Sequence, residues 1–110
     1  MILNNIYFKK PSEFKKNELI DCFNKFYPQK SKFLIKNWEW LYRIKMFGVE
    51  PIVMMYENST IGFAGSISAN IIIENKIVRA KWFVDFIIDP KRRNLGLGKI
   101  LAQKWMDDDF

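Results

Sequence analysis

The sequence predicts a mixed α/β fold of the α+β kind, in which a mainly antiparallel sheet is flanked by helices. Three observations support this prediction. Apolar residues recur at helical spacing in two segments before residue 48, apolar runs separated by short turns fill residues 51–89, and a glycine turn opens a last helical segment. The predicted order is strand, helix, helix, strand, strand, strand, helix. We expect one domain over residues 1–110, without a repeat or a linker.

The first elements follow from apolar spacing and from helix start and stop signals. Residues 2–8, rich in β-branched and aromatic side chains, predict a first strand. Ser12 is the expected N-cap of the first helix, whose apolar stripe is Leu19, Cys22, Phe23 and Phe26. Because Cys22 lies in this stripe, we expect a buried, unreactive thiol.

The segment SKFLIKNWEWLYRIKMFG predicts a second helix, with Ser31 as N-cap and Gly48 as the stop. It carries two neighbouring apolar stripes, which together are wider than a normal core-facing stripe. One stripe is Leu34, Trp38 and Leu41, and the other is Trp40, Ile44 and Phe47. Either some of these aromatic residues line a groove or the helix packs on two sides, and two-sided packing is the favoured interpretation.

Three strands and a helix complete the predicted order. PIVMMY is a continuous apolar run, as in a strand covered on both faces, and two further strands meet at a turn near residues 74–76. Gly62 and Gly65 lie inside the second of the three strands, the one that follows PIVMMY, and indicate a bulge or a close backbone approach there. The last helix, GKILAQKWMDDD, is predicted to turn four residues inward, namely Ile100, Leu101, Trp105 and Met106.

Composition excludes several classes of function. The chain has one cysteine and no histidine, so an intrachain disulfide and Ser-His or Cys-His nucleophilic pairs are excluded, and no metal site is expected. No apolar run approaches the ~20 residues of a membrane span, and the start does not resemble a signal peptide. We therefore expect a cytoplasmic protein without a membrane partner.

Positive charge is concentrated in the first part of the chain. The net charge is +6; residues 1–45 hold ten Lys or Arg against four Asp or Glu, and residues 46–110 hold eight of each. This imbalance fits either a nucleic-acid footprint or a lysine-rich solvated face. Since 14 of the 18 cations are lysines, the solvated face is favoured and nucleic acid is not the expected partner.

The segment from Arg93 to Gly98 has the form R-x-x-G-x-G and lies between a predicted strand and a predicted helix. Glycines let backbone N–H groups point into one concavity, and a helix N-terminus adds free donors and a partial positive charge, so this turn suits a phosphate or pyrophosphate. The spacing is not that of a P-loop. A dinucleotide fingerprint would require G-x-G-x-x-G with an acid about 20 residues later, and the given sequence ends before that position.

This context resembles the GNAT (Gcn5-related N-acetyltransferase) superfamily. Its central motif is an apolar strand, a proline and a glycine-rich turn that opens a helix, and here it stands as DFIIDPKRRNLGLGKIL. The preceding elements also resemble that fold, including a hairpin whose second strand begins at Ile61-Gly62. The resemblance covers most of residues 1–110, and only 82–106 is specific.

The resemblance implies acetyl-CoA, or another acyl-CoA, as co-substrate. By position, main-chain N–H groups of the turn would hold the pyrophosphate, and the main chain before it would pair with the pantetheine arm. The turn residues are Asn94, Leu95, Gly96, Leu97, Gly98 and Lys99, and the strand residues are Phe86, Ile87 and Ile88. Arg93 would brace the loop, and Asn94 departs from the family's usual glycine.

The resemblance also suggests a catalytic residue, Asp85, which stands where some polyamine-type members carry an acid. There it would orient or deprotonate the amine of a small molecule or a protein. The alternative is a solvated carboxylate, or one paired with Arg79.

The family's fold normally continues beyond the motif helix, so we expect an incomplete domain whose sheet is completed by a missing C-terminal half or by a homodimer. Two functions follow. The first is an N-acetyltransferase, or its N-terminal part, acting on an amine. The alternative is a catalytically inactive GNAT-like module that binds a protein or a nucleic acid.

Overall fold

A computed structural model describes residues 5–108 and forms one four-stranded antiparallel sheet with helices on both faces. The strands are β1 (Ile6–Lys9), β2 (Ile52–Tyr56), β3 (Ser59–Ile73) and β4 (Lys76–Ile88), in the order β1-β2-β3-β4. The helices are α1 (Lys16–Phe26), α2 (Ser31–Leu41), α3 (Ile44–Phe47) and α4 (Leu97–Asp107). Two short 3₁₀ helices, Pro11–Glu13 and Pro90–Arg92, lie between these elements. The predicted fold class is therefore confirmed.

The sheet separates two apolar cores. Helices α1 and α2 cover one face, where the buried residues are Cys22, Phe23, Phe26, Leu34, Tyr42, Val53, Met55 and Phe63. Helix α4 covers the other face, where they are Ile52, Met54, Ile61, Ala64, Ile88, Leu97 and Leu101. Four consecutive β2 residues, 52–55, are buried, as predicted from the continuous apolar run. Strand β2 is therefore covered on both faces.

The first helix begins later than the sequence suggests. Ser12 lies in a 3₁₀ turn and does not cap α1; its N–H and hydroxyl donate instead to the Glu50 carboxylate, at 2.9 and 2.7 Å. The N-cap of α1 is Lys15, whose backbone N–H donates to Glu18. The first strand spans Ile6–Lys9, and the part of the prediction at residues 2–4 lies outside the described residues.

The second predicted helix is broken in two. Arg43 adopts a left-handed conformation, with φ of 56°, which ends α2 and offsets the short α3. Its guanidinium Nη1 donates to the Ser68 carbonyl at 3.0 Å, and this long-range bond helps to hold a conformation that L-residues rarely adopt. The predicted N-cap, Ser31, is the first helical residue, and Lys30 precedes it.

Exposure corrects two further predictions. Trp40 is 74% exposed, so α2 does not pack on both sides there, whereas the Leu34 stripe is in the core. Met106 is 60% exposed because its position on α4 faces away from the sheet; Leu101 is buried, and Ile100 and Trp105 pack beside it. Cys22 is buried as expected, and burial raises the pKa of its thiol to about 12.

Both β3 glycines lie where the ladder is irregular, as predicted. The β2–β3 register shifts between Met54 and Met55, next to Gly62, and the β3–β4 register shifts between Phe63 and Gly65. The predicted β3–β4 turn is also present, with Glu74 and Asn75 both at positive φ, as a tight hairpin turn requires. No helix among residues 5–108 has the length and apolarity that crossing a membrane would need.

Candidate active site

A cleft of about 490 Å³ lies where β4 ends and α4 begins. Its lining consists of Phe86, Ile87, Ile88, Arg92, Arg93, Asn94, Gly96, Leu97 and Gly98. The structure thus brings most of the residues predicted to bind cofactor around one cavity. Leu95 and Lys99 are exposed neighbours that do not line it, and Arg92 lines it although it is not among the residues predicted to bind the cofactor.

Asp89 fixes the exit of β4 into this cleft. Its backbone N–H donates to the Ile61 carbonyl at 2.9 Å, which extends the sheet pairing by one residue. Its carboxylate accepts from the Lys91 N–H at 3.1 Å and pairs with the Lys25 ammonium at 3.1 Å. Pro90 then occupies the first 3₁₀ position, where a missing N–H costs nothing. Asp89 therefore serves the turn that leads from β4 toward α4.

The charge of Asp89 is set by these neighbours. Burial alone would raise the pKa of Asp89, but the Lys91 N–H and the Lys25 ammonium outweigh that effect and lower the pKa below the ordinary aspartate value. The carboxylate is therefore ionised at neutral pH. It ties α1 to the strand end that leads into the cleft.

The glycine turn leaves the start of α4 open. Asn94 and Gly96 both have positive φ, at 68° and 76°, and asparagine is among the few residues that tolerate this conformation. The departure from glycine at position 94 is thus accommodated by the backbone. A Cβ built on Gly96 would meet no atom within 4 Å, so the space in front of the turn is empty.

The first turn of α4 has donors without acceptors among the described residues. Gly96 is the N-cap and supplies no side chain, and the first backbone bond is from the Ile100 N–H to the Gly96 carbonyl, at 3.4 Å. The N–H groups of residues 97–99 therefore point toward the turn unbonded, as at an anion-binding helix N-terminus. The donors, the empty space and the lining residues coincide in the same cleft.

The cations around the cleft differ in how they are held. Arg93 Nε donates to the Ile88 carbonyl at 3.4 Å, across the turn that Arg93 was predicted to brace. Arg92 lies over the Tyr56 ring, with its guanidinium carbon 5.0 Å from the ring centroid. Lys91 and Lys99 are exposed. Together these four charges give the cleft a positive potential that favours a phosphate ligand.

Asp85 is the extra residue of a bulge in β4. Between the pairs Phe63–Ile87 and Gly65–Val84, one β3 residue faces two β4 residues, and Asp85 has a φ of 52°. Gly65 allows a close approach here, because a Cβ at that position would lie 2.8 Å from the Val84 carbonyl oxygen. The bulge directly precedes Phe86, the first lining residue of the cleft.

Three side chains from the helical layer hold Asp85. The Lys30 ammonium lies 2.8 Å from Oδ1, the Tyr42 hydroxyl donates to Oδ2 at 2.8 Å, and the Tyr27 hydroxyl donates to the Asp85 carbonyl oxygen. Arg79, the alternative partner, lies instead over the Phe47 ring. Asp85 is therefore neither fully solvated nor paired with its neighbour on the strand.

Both tyrosines remain neutral donors. Burial raises the pKa of Tyr42 far above its ordinary value, and the hydrogen bond to Asp85 raises it further. Burial also raises the pKa of Tyr27, with the Asp85 charge as the second cause. Both hydroxyls consequently keep their protons at neutral pH and orient Asp85. These partners lie 43 to 58 residues away in sequence, so local patterns could not reveal them.

No group of three or more Cys, Asp or Glu residues within 5–108 is arranged to hold a metal ion.

No protein-family model matches the chain, and no curated protein sequence matches it significantly.

Solved structures do match. Glucosamine-6-phosphate N-acetyltransferase from Arabidopsis thaliana is 15% identical, with a TM-score of 0.68 over 93% of this chain and 72% of that one. A GNAT family acetyltransferase from Staphylococcus aureus is 20% identical, with a TM-score of 0.65 over 93% and 76%. A Gcn5-related N-acetyltransferase from Ralstonia eutropha is 13% identical, with a TM-score of 0.53 over 90% and 71%.

The fold of this chain is therefore the GNAT fold, as the motif predicted. At these identities the match establishes the architecture.

Proposed function

We propose that this chain is an acyl-CoA-dependent N-acyltransferase domain that transfers an acetyl group from acetyl-CoA to an amine. The observation that carries the proposal is the cleft at residues 86–98, where unbonded N–H groups of a helix start, four nearby cations and empty space coincide. The neighbours with this fold are described as N-acetyltransferases, which supports the same class. A cytoplasmic location remains part of the proposal.

Residues of this cleft fit a CoA pyrophosphate. The N–H groups of residues 94–99 would bind its oxygens, and Gly96 leaves room for a close approach because it carries no Cβ. The main chain of Phe86, Ile87 and Ile88 lies on an outer strand of the described sheet, where an extended arm could add to the edge. When bound, acetyl-CoA supplies an already activated thioester, so the protein's task is mainly positioning.

Asp85 is the residue we propose to orient the acceptor amine. It directly precedes the cleft, and its bulge aims the carboxylate toward the α1–α2 side of the sheet, where Tyr42 fixes one oxygen. The other oxygen holds the Lys30 ammonium, so an incoming ammonium must displace or share that contact. A carboxylate that already binds one alkylammonium group has the chemistry to bind another and to take its proton.

The outer edge of β4 is unpaired within the described sheet. We propose that a second copy of the chain or a further segment pairs with this edge, as an exposed strand edge favours.

The test of cofactor use is isothermal calorimetry with acetyl-CoA and CoA. We expect one site per chain with a dissociation constant in the micromolar range, about 8 kcal/mol of binding free energy at 1 μM. The affinity for acetyl-CoA should fall as the salt concentration is raised, because salt screens the attraction between the CoA phosphates and the cations of the cleft. Absence of binding at millimolar acetyl-CoA would refute the proposal.

Asp85→Asn should lower kcat/KM for amine acetylation by about 100-fold without weakening acetyl-CoA binding. Asparagine tolerates positive φ and can still accept from Tyr42, so the bulge should persist. The measurement is initial rate over a panel of primary amines, together with calorimetry. Asp21→Asn removes one charge at an exposed α1 position and should leave the rates unchanged. An unaltered rate in Asp85→Asn would exclude the proposed role.

A further inference from the structure

A second cavity, larger than the cleft, lies between α2, α3 and β3. It has a volume of about 800 Å³. Its lining consists of Lys36, Glu39, Trp40, Leu41, Arg43, Lys45, Met46 and Ile67, and we call it the α2–α3 groove. None of these residues lines the cleft at residues 86–98. The break in the second helix creates the groove, since Arg43 turns α3 away from the line of α2.

The groove presents large apolar side chains to solvent. Trp40 and Met46 are each 74% exposed, which is unusual for side chains of this size. Leu41 and Ile67 lie between them and the core, where they pack against the α1–α2 cluster. A concave apolar site of 300 to 1,000 Å³, roughly, is typical of a small-molecule pocket. A ligand that covers Trp40 or Met46 would remove their apolar surface from water, which favours binding.

The charged residues around the groove indicate the sign of the ligand's charge. Lys36, Arg43 and Lys45 contribute three positive charges and Glu39 one negative charge, a balance of two positive charges. No ion pair joins Lys36, Lys45 or Glu39 to another of the described residues. The Arg43 side chain is anchored on the Ser68 carbonyl at 3.0 Å, so its guanidinium is held in place at the groove. The complementary ligand therefore carries a negative charge.

We propose that the α2–α3 groove binds a small molecule in which an anionic group is joined to a planar apolar body. The apolar body lies against Trp40 and Met46, and the anion faces the cations of α2 and α3. Aromatic stacking on Trp40 supplies orientation, and the anchored Arg43 supplies a fixed charge partner. This site is separate from the proposed cofactor cleft, because the two share no lining residue.

The test uses a matched pair of fluorescent probes. Anilinonaphthalene sulfonate combines a planar apolar body with one negative charge, and phenylnaphthylamine is its uncharged counterpart. We expect saturable binding of the sulfonate at one site per chain, and binding of the uncharged probe weaker by about tenfold, or 1.4 kcal/mol. Added salt should weaken binding of the sulfonate and leave binding of the uncharged probe unaffected.

Matched variants locate the site. Trp40→Ala should weaken sulfonate binding by about tenfold, whereas Phe33→Ala, which removes an exposed aromatic ring of α2 outside the groove, should not. Lys36→Glu should weaken it severalfold, whereas Lys32→Glu makes the same charge change on α2 outside the groove and should have little effect. All four positions are exposed, so urea midpoints should stay near the wild-type value and would reveal any unfolding.

Three results would overturn the proposal. One is equal affinity for the charged and uncharged probes. Another is equal loss of affinity in Trp40→Ala and Phe33→Ala. The third is sulfonate binding that scales with the unfolded fraction in urea rather than with the folded protein. Calorimetry with acetyl-CoA in Trp40→Ala separates this site from the cleft, since that binding should be unchanged.

Discussion

Gly98→Trp is expected to abolish acetyl-CoA binding while the protein remains folded. A Cβ at position 98 would lie 3.6 Å from the Phe86 ring and 3.8 Å from Ile88, in ordinary contact, so the position itself tolerates a side chain. Both neighbours line the cleft, and an indole built from that point would fill the space in front of the α4 donors. We expect an affinity loss of at least about 100-fold, or 2.7 kcal/mol, measured by calorimetry.

Two variants control for this result. Gly98→Ala adds only the tolerated Cβ and should retain binding within about threefold, a difference of 0.7 kcal/mol. Gln103→Trp places the same indole on an exposed position of α4 that does not line the cleft, and it should bind like the wild type. Binding by Gly98→Trp at wild-type affinity would show that the phosphate cradle lies elsewhere.

The cleft could be predicted because its information is local. The turn from Arg93 to Gly98 carries its own signals in sequence: glycine where positive φ is needed, cations beside it, and an apolar strand and a helix at its ends. Backbone N–H groups do not depend on distant residues, so recognising the turn identifies the donors. The turn does not identify Arg92 as a lining residue, because its position over Tyr56 depends on a contact between distant segments.

The surroundings of Asp85 could not be predicted, because they are long-range. Tyr27 and Lys30 approach it from the α1–α2 connection and Tyr42 from the α2–α3 connection. No spacing rule relates residues that far apart in sequence. The break at Arg43 escaped prediction for the same reason. Its local sequence continues a helical apolar pattern, while the Ser68 carbonyl, 25 residues away, bonds the side chain of the left-handed residue. Tertiary contacts overrode local propensity at both places.

The side-chain contacts of Asp85 and the helix break at Arg43 have one structural cause. Tyr42, which lies at the break, is fully buried, and its hydroxyl reaches the bulge at Asp85. The Tyr42 ring can reach Asp85 only where β3 carries no side chain in its way. Gly65 is the β3 residue at this position. The glycine, the helix break and the bulge therefore form one packing arrangement that places a carboxylate beside the cleft.

Gly65→Ala is accordingly expected to destabilise the fold by about 2 to 3 kcal/mol, although it adds a single methyl group. The new Cβ would lie 2.8 Å from the Val84 carbonyl oxygen and 2.9 Å from Tyr42 Cε1. The carbonyl belongs to the β3–β4 ladder and the ring is enclosed by core, so neither can move aside without loss of other contacts. Urea unfolding followed by circular dichroism measures the change in the free energy of unfolding.

The matched control is again Gly98→Ala, in which the same methyl group meets its nearest atom at 3.6 Å. Alanine favours a helix over glycine by up to about 1 kcal/mol, so this variant should be as stable as the wild type or slightly more stable. A difference between the two variants isolates the close approach at the bulge from the general effect of replacing glycine. If Gly65→Ala unfolded at the wild-type urea midpoint, Tyr42 and Val84 would not be packed against β3, and the proposed support of Asp85 would fail with them.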